Sequence, residues 1–418
     1  MLKLTRSGSK LALLLVAAIA AGCSSPGGDS AGSGGGGSGP SSSGGAGGNG
    51  TAPSGGATGS GGRPKGTGGV TSTGGAPGTG GRSDAGTTAG STGGRGVDAG
   101  GADAITGGAG TTDPGNVGDG DFVVGPTYTP SPDLRLKPGA PTGFTVRFTL
   151  NSAMSDIFNG SDFNPPISFT RSIQVFVPEQ YVDGTESPFM VSSDGFYASL
   201  QTVVQNLADD PSPDHHVPPL VIIGIQNGPN PTGGPSERSL EYDTVSDRYW
   251  QFVTKEVIPA ILSNAQLRAK FPNFKLTGDP NGRGGYGCSS GGPAVMGLAW
   301  FGDFNRVLSF SGSFTALHPT ADHPLGAWEY PTLIMNAPTR PDLRVFLEVG
   351  QNDNNSTDPE STHRNWVIAN RAMAAALKEK GNHYRFIFAQ GAGHCDNNAR
   401  NQVMPEGLIW LWRGYQAK

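Results

Sequence analysis

The sequence is short of cysteine, of clustered positive charge and of long apolar runs. Only three cysteines occur in 418 residues, and none stands at a Cys/His spacing suited to zinc. No run of Lys or Arg is present and the formal net charge is −5, so nucleic acid is not an expected partner. The apolar stretch at residues 11–21 is too short for a comfortable membrane span, and no later stretch is long enough. The 68 glycines follow no strict Gly-X-Y period, which excludes a collagen-like rod.

Much of that glycine lies between Ser24 and Gly120, among Ser, Thr and Ala with few charges. Such a segment has no apolar side chains to offset the entropy of ordering it, so a disordered tether is expected over residues 23–120. Ahead of it, Lys3, Arg6 and Lys10 precede the apolar run, which ends in Ala20-Ala21-Gly22-Cys23. The pattern resembles a bacterial lipoprotein signal over residues 1–22, with Cys23 lipidated and Ala20 in place of the usual leucine. The expectation is an exported protein, lipid-anchored at a bacterial cell envelope or secreted. Its membrane partner would be reached through Cys23, and disulfides persist in that compartment.

Residues 121–418 suit one α/β domain. Apolar, β-branched or aromatic runs at 143–150, 172–177, 188–193, 220–225, 284–288, 306–310, 343–349 and 384–389 predict strands. Helical patterns fall between them at 197–207, 245–263, 290–300, 365–380 and 405–415. The alternation argues for a mostly parallel sheet with helices on both faces. The two early strands lack an intervening helix and are expected to form an antiparallel edge.

Gly287-Cys288-Ser289-Ser290-Gly291 fits G-x-S-x-G, and it follows a predicted strand and opens a predicted helix. That context is the one in which the motif lifts a nucleophilic serine above a sheet. The overlapping G-x-G-x-x-G at Gly282 to Gly287 lies before and within the strand and carries no dinucleotide signal. A serine nucleophile needs a base, and His394 follows the last predicted strand in a Gly-rich loop. The acid should follow the strand at 343–349. Asp353 stands just past its end, whereas Glu348 lies within the strand and Asp358 farther into the loop. Oxyanion stabilisation needs two N–H groups. Ser290 supplies one, and the loop Ser193-Asp194-Gly195-Phe196 supplies the other through Phe196 or Gly195. If Ser289 and His394 meet, Cys288 and Cys395 are brought close, and a disulfide between them would pin nucleophile to base.

Together with Val175-Phe176-Val177-Pro178, Arg238-Ser239-Leu240-Glu241-Tyr242-Asp243, Ser309-Phe310-Ser311-Gly312-Ser313-Phe314, Gly350-Gln351-Asn352-Asp353 and Asn365-Trp366, these motifs resemble the esterase D/enterochelin-esterase-like family of α/β-hydrolases. That family includes feruloyl and acetylxylan esterases and mycolyltransferases. The resemblance implies that the residue after Asp-Gly, Phe196, is the oxyanion donor. It also implies substrate-binding roles for Asp194, Gly195, Arg238 and Glu241; a salt-bridged helix start is the structural alternative for the Arg238 stretch. The paired cysteines are similar instead to those of the tannase/fungal feruloyl esterase family. The expected function is a serine carboxylesterase acting on a small-molecule or polysaccharide-linked ester, with neither metal nor organic cofactor implied. Siderophore trilactone hydrolysis or acyl transfer is the alternative within enzymes. A non-catalytic surface-binding protein on a hydrolase scaffold is the alternative outside them.

Overall fold

The structure, a computed structural model, describes residues 115–229, 236–339 and 342–416. Residues 1–22, Cys23 and the expected tether up to residue 114 lie outside the described residues. The chain runs through β1 (Gly120–Val124), β2 (Phe144–Asn151), β3 (Thr170–Val177), β4 (Glu186–Ser187) and β5 (Phe189–Ser193). Helix α1 (Ala198–Ala208), β6 (Val221–Ile225), α2 (Glu237–Tyr242), α3 (Arg248–Phe252), α4 (Ile258–Leu262), α5 (Ala265–Lys270) and β7 (Lys275–Leu276) follow. The remainder is β8 (Arg283–Cys288), α6 (Gly291–Phe301), β9 (Arg306–Phe310), α7 (Tyr330–Asn336), β10 (Arg344–Gly350), α8 (Trp366–Glu379), β11 (His383–Ala389) and α9 (Asn397–Trp412).

The main sheet has the order β1-β11-β10-β9-β8-β5-β6-β3-β2. Its pairs are parallel from β1 to β6, while β3 is antiparallel to both β6 and β2. The fold is therefore the expected α/β-hydrolase sheet with an antiparallel edge. All five residues of β6, Val-Ile-Ile-Gly-Ile, are buried, because helices cover both faces and neither face needs polar side chains. Alternation divides the core in two. In β10, Val345, Leu347 and Val349 join one layer, and Phe346 joins the other beneath α9.

Two helical predictions differ from what forms. The stretch 245–263 is α3 and α4 joined by a π-helical turn at Val253–Val257, where Ile258 N–H reaches back to Val253 O. Pro259 has no N–H to give the carbonyl four residues earlier, so the ladder shifts at that point. The last helix starts at Asn397 rather than 405, with the Asp396 carboxylate accepting the N–H groups of Asn398 and Ala399 and with Pro405 inside it. Its final carbonyls are satisfied by buried arginines of the sheet: Trp410 O accepts from Arg344 Nε at 2.9 Å and Leu411 O accepts from Arg306. This docking fixes α9 under β8 to β10, beneath the site described next.

Candidate active site

β8 ends at Cys288, and the chain turns so sharply that Ser289 takes a φ of +59° before α6 begins at Gly291. A side chain at Gly287 would collide with the carbonyl of Gly291, which is why strand and helix can meet here only through glycine. The strained turn is tied on both sides. Ser289 N–H donates to Phe310 O at 3.0 Å, and Ser289 O accepts from Gly292 at 2.9 Å and Ser313 at 3.0 Å. Its hydroxyl is left at the C-terminal edge of the sheet.

The loops after β10 and β11 are stitched together. Asn352 N–H donates to Ala392 O at 2.8 Å, Gln351 N–H to Ala389 O at 2.8 Å, and Gly391 N–H to Gln351 Oε1 at 2.9 Å. A Cβ on Gly350 would stand 2.5 Å from Gly393 O, so the two loops approach at van der Waals contact of their backbones. That stitching brings Asp353 under His394. Asp353 Oδ1 lies 2.6 Å from His394 Nδ1, and His394 Nε2 lies 2.9 Å from Ser289 Oγ. Asp353 is buried and also accepts the Asn354 N–H at 2.7 Å, so its carboxylate is held rather than free to rotate. The short contact to Asp353 favours the tautomer with the proton on Nδ1, leaving Nε2 as acceptor for the serine hydroxyl. Trp366, the first residue of α8, sets its ring edge against the imidazole at 6.0 Å.

Cys288 and Cys395 are joined by a disulfide, with Cα atoms 6.3 Å apart. Cys395 adopts a φ of +50° and its N–H donates to Ser311 Oγ at 2.9 Å. The residues beside the serine and the histidine are thus covalently linked.

The N–H groups of Ser290 and Phe196 make no hydrogen bond within the described residues. Gly195 is different. Its N–H is taken by Ile225 O at 2.9 Å and its carbonyl accepts from Ser192 Oγ at 2.7 Å. Gly195 is therefore not the open donor, because its N–H is consumed by the turn. A second correction concerns Glu241. Its side chain is inaccessible to solvent and pairs with the equally buried Arg171 at 2.8 Å, so it cannot reach a substrate. Burial pushes the Glu241 carboxyl up to about 7. Arg238 and Asp194 remain partly exposed, paired through two hydrogen bonds of 2.7 and 2.9 Å.

Several residues beside the site escaped sequence reasoning. Tyr242 Oη accepts the Asp194 N–H at 3.1 Å, and the buried Asp243 accepts the hydroxyls of Ser239 and Ser313. All lie in stretches that carry the family resemblance, which was the available signal. Glu348 is another. It is buried in β10, and neither carboxylate oxygen has a partner among the described residues. Burial, reinforced by Asp353, pushes its carboxyl from the ordinary 4.5 up to about 8. Between those values the folded chain keeps a proton that the unfolded chain has released, so this group weakens folding progressively as pH rises across the window. Glu348→Gln is expected to raise the thermal midpoint at pH 8 by roughly 2–5 °C and to leave it unchanged near pH 4.5. Melting curves at the two pH values check this; equal shifts at both would contradict it.

A family model described as "Putative esterase" matches residues 167–399. No curated protein matches the sequence. Similar solved structures include the enterobactin esterase of Shigella flexneri in the presence of 2,3-di-hydroxy-N-benzoyl-serine, at 20% identity over 66% of this chain and 61% of that one, with a TM-score of 0.45. The chain thus spans less than two thirds of that esterase. A ferulic acid esterase of the anaerobic fungus Anaeromyces mucronatus is similar at 13% identity, over 69% of this chain and 96% of that one, with a TM-score of 0.46. Another ferulic acid esterase is similar at 17% identity, over 66% and 100%, with a TM-score of 0.46.

Proposed function

Because the chain belongs to the esterase family whose model spans its residues 167–399, we propose that it is a serine carboxylesterase working through Ser289, His394 and Asp353. The observation that carries this reading is the continuous hydrogen-bonded chain from Ser289 Oγ through the imidazole to the buried Asp353 carboxylate, set on a strand–turn–helix elbow. Ser289 attacks the ester carbonyl carbon as His394 Nε2 takes the hydroxyl proton. Asp353 stabilises the imidazolium so formed. The negative charge on the carbonyl oxygen is received by the N–H groups of Ser290 and Phe196. His394 then returns the proton to the departing alcohol, leaving an acyl group on Ser289. Water then adds to the acyl carbon as His394 takes its proton, and His394 returns that proton to Ser289 Oγ as the acyl–Oγ bond breaks and the acid leaves.

The expected export signal and Gly/Ser-rich tether extend the proposal. An esterase anchored at Cys23 and held away from the membrane by the Gly/Ser-rich segment that follows it would reach bulky, immobile esters, such as acylated polysaccharide, as readily as small ones. The folded domain already includes Gly118 and Asp119, bonded to Arg385, His383 and Trp410, so the tether ends short of the expected residue 120. A substrate panel tests the reading: p-nitrophenyl acetate, acetylated xylan, methyl ferulate and enterobactin, each compared by kcat/KM. Turnover of the carboxylic esters is expected, with acylated polysaccharide fragments preferred over the siderophore. Failure on all four would leave the non-catalytic scaffold as the better account.

A further inference from the structure

The short helix α2 and its C-cap touch the site at three points, and all three bear on the turn and the elbow whose N–H groups would hold the oxyanion. Arg238 Nε and Nη2 grip the two carboxylate oxygens of Asp194 at 2.7 and 2.9 Å, the planar two-pronged pairing that fixes a carboxylate in orientation as well as position. The guanidinium lies over the Tyr242 ring at 5.4 Å. Tyr242, fully buried, accepts the Asp194 N–H at 3.1 Å and donates to Ile225 O at 3.4 Å. Asp194 is thereby held at both its backbone and its side chain, in a left-handed conformation of φ +62° that an L residue adopts only when its surroundings impose it. The next residue but one is Phe196.

The other end of α2 reaches the elbow. Asp243, at the helix C-cap, is 2% exposed. Its carboxylate accepts Ser239 Oγ at 2.8 Å and Ser313 Oγ at 3.2 Å. Ser313 in turn donates its N–H to Ser289 O at 3.0 Å. One rigid element therefore grips the turn leading to Phe196 on one side and the elbow carrying Ser290 on the other.

We propose that Arg238, Tyr242 and Asp243 are positioning residues that fix the separation of the two oxyanion-binding N–H groups, those of Phe196 and Ser290. The inference rests on the serine-esterase reading given above. It reassigns Arg238 from substrate contact to the geometry of the hole. An error of a fraction of an ångström between donors that act only on the developing oxyanion affects the transition state and leaves ground-state binding nearly untouched.

The test compares Arg238→Met, Arg238→Lys and Ser313→Ala with the wild type on p-nitrophenyl acetate. Competent sites are counted by exhaustive fluorophosphonate titration, and phenylboronic acid serves as a mimic of the tetrahedral adduct. For Arg238→Met, kcat per competent site is expected to fall about 10- to 100-fold with KM within about twofold, and the boronic acid should weaken by a similar factor. Arg238→Lys should recover part of the loss, since an ammonium can pair with Asp194 without gripping both oxygens. Ser313→Ala keeps the N–H that donates to Ser289 O but loses the hydroxyl that Asp243 accepts, and should show the same pattern more weakly. A raised KM at unchanged kcat would return Arg238 to substrate binding and overturn the proposal. Normal kcat per site with fewer competent sites would reduce it to fold maintenance and overturn it equally. Undiminished hydrolysis by Ser289→Ala would instead sink the esterase reading beneath it, a separate result.

Discussion

Ser289→Ala is expected to lower kcat/KM for p-nitrophenyl acetate by about 10⁴-fold or more, with the thermal midpoint nearly unchanged. The size of the loss follows from what the hydroxyl does. Its oxygen forms the bond to the acyl carbon, and nothing else in the constellation is placed to replace it. The absence of a structural penalty follows from how the elbow is built. The turn is held by the Ser289 backbone, through Phe310 O, Gly292 N–H and Ser313 N–H, while among the described residues the hydroxyl's hydrogen bond is to His394. Alanine meets the same +59° backbone as serine, so the strain is unchanged. A small residual rate above that of water is expected, because the N–H groups of Ser290 and Phe196 survive the substitution. Steady-state kinetics beside a melting curve separate this outcome from simple unfolding.

Removing the Cys288–Cys395 disulfide should have the largest effect on stability. The bond closes a loop of 107 residues, and chain-entropy arguments put its contribution at about 4–5 kcal/mol. In a domain of this size that corresponds to a fall of roughly 5–10 °C in thermal midpoint. The double variant Cys288→Ser/Cys395→Ser is the appropriate test, since it leaves no unpaired thiol. Activity should fall as well, by about tenfold at temperatures where both proteins stay folded. The reason is local: the disulfide is the one covalent tie on the His394 loop among the described residues, beside hydrogen bonds such as those to Gln351 and Asn352 and the Cys395 N–H to Ser311 Oγ. Thiol titration of the denatured, unreduced wild type gives an independent check. Two reactive thiols would rule the bond out, and an unchanged midpoint in the double variant would deny it the bracing role.

The large strands were legible because a strand buried on both faces reads as a continuous apolar run, as in residues 221–225. The small elements were not. β4 and β7 are two residues each, and α2, α5 and α7 span six or seven, too few to impose a period on the sequence. β1 follows directly on the Gly- and Thr-rich segment and lies at the sheet's edge with Val123 exposed, so its pattern is weak. The Ser289, Asp353 and His394 candidates could be picked out because each stands just past the C-terminal end of a strand, in the hydrolase chain order. The roles of Arg238, Glu241 and Asp243 could not be separated that way. All three are charged residues within six positions. One grips Asp194 at the rim, one neutralises Arg171 seventy residues earlier in β3, and one underpins the elbow through Ser313. Only the partners distinguish them, and those partners come from distant parts of the chain.

The central claim is that Ser289 is the nucleophile, and the most direct measurement is the site of covalent modification. Full-length protein treated with a fluorophosphonate should lose ester hydrolysis in proportion to the incorporation of one label per chain. Peptide mass spectrometry should place that label on Ser289, with none incorporated by Ser289→Ala. Full hydrolytic activity in unlabelled protein after exhaustive treatment, or a label on another residue that tracks the loss of activity, would contradict the account.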